Sequence, residues 1–115
     1  MGYYLWRYDL ARIPKGAVSP LTDYAPGTQL VIDMHPGDDL AVGSKVLYRT
    51  SSGALLLGRV DSPPPSAPAE YHKRCEAGAL WIVKDRPDAA GSDSTTLGPI
   101  DLDRIEGLVT MAVGW

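Results

Sequence analysis

Twelve glycines and ten prolines are spread through the whole of this 115-residue chain, and the apolar runs between them are short and rich in Val, Ile, Leu, Tyr and Trp. Proline lacks the amide hydrogen that helices and sheet interiors need, and glycine weakens both, so this punctuation limits every regular element to a few residues. Short β-branched and aromatic runs bounded by such residues read as strands. The pattern predicts strands over Tyr3–Asp9, Thr28–Asp33, Lys45–Thr50, Ala54–Val60, Ala79–Lys84 and Ile105–Val113. A hairpin is expected at Thr50–Gly53, because Gly53 accepts the positive φ of a tight reversal. The fold class that follows is mainly β: a small antiparallel, barrel-like domain with at most one or two short helices.

Asp61–Pro68, with the sequence DSPPPSAP, cannot lie inside a sheet and reads as an exposed loop. The AEYHKRCEAGA stretch after it predicts one short helix ending near Gly78, with Lys73 and Arg74 placed to suit the helix dipole. Asp85–Gly98 is a second polar loop whose Asp, Ser and Thr side chains are suited to turning the backbone through local hydrogen bonds. No internal repeat or long linker divides the chain, so residues 1–115 are expected to form a single domain around one core.

A net charge of -3 leaves no cationic surplus for phosphate backbones, which argues against nucleic acid as a partner. The lone Cys75 cannot form an internal disulfide. Arg7, Asp9 and Arg12 interrupt the aromatic N-terminal stretch, so no signal-peptide core or membrane anchor is expected there, and a cytoplasmic location follows as the expectation. Trp6 occupies the position where a myristoylation motif needs a small hydroxyl residue.

The run from Leu80 to the C-terminus contains, in order, Asp85 and Pro87, Asp93 and Ser94, Gly98 and Pro99, then Ile105 and Gly107. That order resembles the closing segment of type I signal peptidases, which carry a Gly-Asp-Asn turn, Asp-Ser-Arg, Gly-Pro-Val and an Ile-x-Gly strand. Upstream, Met34, Pro36, Gly43, Val46, Arg59 and Val60 fall where the family has Ser-Met-x-Pro, Gly-Asp-x-Val and Lys-Arg-Val. The resemblance covers Val31 to the C-terminus. It implies a cleft bordered by Asp33, Met34, His35, Pro36, Gly58, Arg59, Asp93 and Ser94.

Family members act through a serine activated by a neutral lysine within hydrogen-bond reach. Here Asp33 stands at the serine position and Gly58 at the lysine position, while Thr95, Lys84 and Arg86 replace further motif residues. Aspartate offers no hydroxyl for an acyl intermediate and glycine no base, so the resemblance implies a chain without peptidase catalysis. Ser44 and Lys45 do not restore the pair, because neighbours on a strand face opposite ways. The resemblance also places Asp33 and Ser94 across a shared cleft, with Gly58 beside them.

Three function classes follow. A non-catalytic module would hold an extended peptide or partner protein in the inherited cleft or on a sheet edge. Alternatively, a small enzyme would use Asp33, with His35, as general acid or base on a small molecule in the barrel mouth. A purely structural protein would instead show a filled cleft and a large apolar interface. Asp33, His35, Asp38 and Asp39 also lie close together in sequence, but Asp38 and Asp39 read better as turn residues than as metal ligands. His72 and Cys75 share a helix face without further ligands to complete a zinc site. Neither a metal nor a cofactor is expected. Tyr4, Trp6 and Tyr8 share one side of the first predicted strand and are expected to pack in the core.

Overall fold

The structure, a computed structural model, describes residues 8–16, 18–34 and 40–113. Six strands form one antiparallel sheet: β1 (Tyr8–Arg12), β2 (Gln29–Asp33), β3 (Lys45–Arg49), β4 (Leu55–Asp61), β5 (Trp81–Val83) and β6 (Ile105–Val113). Their spatial order is β1-β2-β6-β3-β4-β5. The mainly β class therefore stands, but the sheet is open, with β1 and β5 at its two edges, and does not close into a barrel. The aromatic run before Tyr8 lies outside the described residues, and Tyr8 itself is exposed on β1, not packed in the core.

The turn chemistry explains the local connections. Between β3 and β4 the Thr50 and Ala54 backbones pair at 2.9 Å, and Gly53 takes φ +88°, which a side chain would oppose. After the proline-rich loop, α1 (Ala69–Glu76) carries Glu70 in its first turn and Lys73 and Arg74 in its last, and Gly78 follows with φ +114°. A second helix, α2, is a single turn, Ser94–Leu97, with Asp93 at its N-cap. Leu102–Arg104 forms a 3₁₀ turn leading into β6.

Strand register assigns the side chains to two faces. On the first face, Leu30, Ile32 and Leu57 pack under Ile13, Leu21 and Tyr24, which the segment after β1 folds back over the sheet. On the second, Val46, Tyr48, Val60 and Ile82 pack with Ile100. β2 buries Leu30 and Ile32 on the first face and β3 buries Val46 and Tyr48 on the second, while Val31 and Leu47 on the opposite sides are less covered, and this alternation pins the register. β6 binds β2 on one side and β3 on the other, with an irregularity in each pairing. The last strand in sequence thus becomes central in space.

Candidate functional site

Cross-strand pairing places Tyr8, Asp33, Leu108, Val46 and Gly58 in one transverse row. Directly paired residues share a face, so Asp33 and Gly58 look the same way. They are nevertheless three strand steps apart, at about 4.8 Å per step, because β6 and β3 stand between β2 and β4. Leu108 and Val46 occupy the intervening positions. Asp33 itself is buried.

Gly58 lies against the core. A Cβ there would come 2.4 Å from Ile82 Cγ2, 3.1 Å from Tyr48 Cε1 and 3.2 Å from the Val83 carbonyl oxygen. No longer side chain can leave the strand on that face without moving Ile82, so the glycine is required by packing.

Asp93 and Ser94 serve the free edge of β5. The Ser94 hydroxyl accepts the Ile82 amide at 2.8 Å, and the Asp93 carboxylate accepts the Lys84 amide at 3.0 Å. The other Asp93 oxygen accepts the Thr95 amide at 3.0 Å and the Thr95 hydroxyl. Both side chains are buried. The turn chemistry expected of this polar loop is therefore present, and Asp93 supplies it. Through Ile82 the structure brings Ser94 and Gly58 into one neighbourhood. It does not bring Asp33 there: Ser94 lies beyond β5, and Asp33 stands on β2. In place of the expected approach of Asp33 and Ser94 across a shared cleft, the strand order sets β6, β3 and β4 between β2, which carries Asp33, and β5, whose Ile82 amide Ser94 accepts.

Arg59 follows Gly58 and so points to the other face. Its guanidinium holds Asp85 in a fork, Nη2 to Oδ2 at 2.8 Å and Nε to Oδ1 at 3.3 Å, and also reaches Asp23 at 3.3 Å. Lys45 pairs with Asp23 at 2.8 Å, and its ammonium lies over the Tyr24 ring. Thr22 donates both its amide and its hydroxyl to Asp85 Oδ2. The Arg59 guanidinium and Thr22 together hold the Asp85 carboxyl down to about 2, while Lys45 and Arg59 lower Asp23. These contacts fasten the segment that covers the first core.

A carboxyl depressed in the folded state stabilises the fold above its unfolded value and loses that contribution as pH falls through the folded one. For Asp85 the window runs from the ordinary value of 3.8 down to about 2. Thermal midpoints measured across that range should fall with decreasing pH, and Asp85→Asn should flatten the acid limb while lowering the midpoint near neutrality. An acid limb of unchanged slope in the variant would assign the acid sensitivity to other carboxylates.

The described residues also frame an apolar cavity of about 360 Å³ on the first face. Its floor includes Leu30, Leu47 and Leu57, and its walls include Val18, Pro20 and Ala90. Ala11 and Arg12 of β1 border it. Asp33 is not among its lining residues and faces the other side of the sheet. Met34, half-buried, packs against the first core, whereas His35, Pro36, Asp38 and Asp39 lie outside the described residues. The cavity was not legible in advance, because its lining comes from β1 and the segment after it, β2, β3, β4 and the distant Ala90.

Among the described residues, no three His, Cys, Asp or Glu side chains gather as a metal site. His72 and Cys75 both lie on α1, and burial raises the Cys75 thiol above its ordinary value. No helix among the described residues is long and apolar enough to cross a membrane. Comparison with protein-family models, curated proteins and solved structures returned no match.

Proposed function

We propose that this chain is a non-catalytic module that holds an extended apolar peptide segment of a partner protein. The observation that carries the reading is the open apolar cavity beside edge strand β1, floored by Leu30, Leu47 and Leu57. A peptide added along β1 would gain main-chain hydrogen bonds from the edge, and alternate side chains would turn towards the cavity next to Ala11. The lack of space at Gly58 supports the non-catalytic half, since a lysine could not stand there beside a nucleophile.

The test uses a labelled leucine-rich hexapeptide and its serine-substituted counterpart, followed by fluorescence anisotropy. The leucine peptide should bind saturably and the serine peptide at least about tenfold more weakly, as expected for burial of apolar side chains. Ala90 is exposed at the cavity wall, so Ala90→Trp should obstruct the cavity without disturbing the core. It should weaken binding about tenfold at an unchanged thermal midpoint. Equal binding of the two peptides, or an Ala90→Trp variant that binds as the parent does, would sink the proposal.

A further inference from the structure

Away from that cavity, Arg49 at the end of β3, Arg74 on α1 and Arg104 in the 3₁₀ turn line one recess of about 180 Å³, together with Thr50 and Ser51 of the β3–β4 turn. Two of the guanidiniums are already oriented by the protein. Arg49 donates Nε to Glu106 at 2.8 Å and Nη1 to the Gly53 carbonyl at 2.9 Å, which leaves its Nη2 hydrogens unused. Arg74 donates Nη2 to the Pro99 carbonyl at 3.1 Å and to Asp101 Oδ1 at 3.0 Å, which leaves Nε and Nη1. Arg104 is exposed, and no contact of its side chain ties it down among the described residues.

Three guanidiniums from three separate elements around one small recess are unusual in a chain of net charge -3, since like charges repel unless something negative lies between them. Glu106 and Asp101 offset two of the charges, and the third is unmatched. A single carboxylate would be satisfied by one guanidinium fork, whereas a tetrahedral dianion presents enough acceptor oxygens for several forks and the neighbouring hydroxyl. We propose that this recess is a binding site for a phosphoryl group, with Arg104 as the mobile ligand-closing arm and Arg49 and Arg74 as the preset donors. Asp101 competes with the ligand for Arg74. The proposal is independent of the apolar cavity on the first face.

The phosphoryl group could be free phosphate or that of a phosphorylated serine, and two titrations of the isotope-labelled chain by NMR separate them. Inorganic phosphate and a short phosphoserine peptide are each added, with acetate at matched ionic strength as the control. Saturable shifts are expected at the amides of Ser51, Asp101 and Arg104, and the titrant that saturates at lower concentration identifies the source. Arg104→Gln removes charge-assisted hydrogen bonds from an exposed position and should weaken binding about tenfold without affecting the fold. Asp101→Asn should act in the opposite direction and tighten binding about threefold, because it frees Arg74 and removes a like charge. Shifts that stay linear for both titrants, that acetate reproduces, or that Arg104→Gln leaves unchanged would overturn the proposal. So would an Asp101→Asn variant that binds more weakly than the parent.

Discussion

Replacing Gly58 with lysine is expected to destabilise the chain by about 3 kcal/mol or more, through overpacking and burial of a charge. A Cβ alone would intrude to 2.4 Å from Ile82 Cγ2, and Ile82 is fully buried in the second core, so it has nowhere to withdraw. A urea titration should show a lower midpoint for Gly58→Ala and a much lower one for Gly58→Lys. If Gly58→Ala unfolds at the parental midpoint, Ile82 moves freely and the steric account fails. The result bears on chemistry as well as stability. Installing serine at Asp33 together with lysine at Gly58 would still leave the two positions three strand steps apart, so the pair should generate no peptidase activity.

Asp93→Ala should cost about 3 kcal/mol, combining loss of an N-cap with stranded buried donors. One carboxylate serves the Lys84 amide, the Thr95 amide and the Thr95 hydroxyl, and it does so while buried. Hydrogen exchange should accelerate first at the Lys84 and Thr95 amides. Asp93→Asn keeps one acceptor oxygen and should lose about half as much. A chemical-denaturation midpoint for Asp93→Ala within error of the parent would show that water or another group satisfies these donors at little cost.

The elements were legible wherever local chemistry sets them. Ile105–Val113 appears as a strand with the bounds that its flanking residues predict, and the Gly53 reversal and the helix before Gly78 follow from the conformations glycine allows. The polar run before Gly98 announced a turn, and Asp93 makes it. Long-range placement was another matter. Asp33 pairs with Leu108 across most of the chain, and nothing in either neighbourhood indicates that the last strand inserts between β2 and β3. That insertion adds a strand between Asp33 on β2 and the β5 border that Ser94 serves.

Asp85 stands in the sequence as part of a turn motif, and nothing beside Asp23 in the sequence names its partner. Only the folded chain sets them beside Lys45 and Arg59. Gly58 illustrates the converse: in the sequence it reads as a missing base, and in the structure it is a position that Ile82 and Tyr48 reserve for a residue without a side chain.

The two borders of the sheet are finished differently. Along β5 the outward groups are already engaged: Leu80 exchanges backbone hydrogen bonds with Ile100, Ile82 donates to Ser94, and Lys84 donates to Asp93. Strand β1 has a sheet neighbour on one side, β2, among the described residues. Copies of a chain with two receptive borders would stack into an unlimited ribbon. The Asp93–Ser94 turn therefore does for the β5 border what a further strand would do, occupying its outward amides and closing that side of the sheet to strand addition.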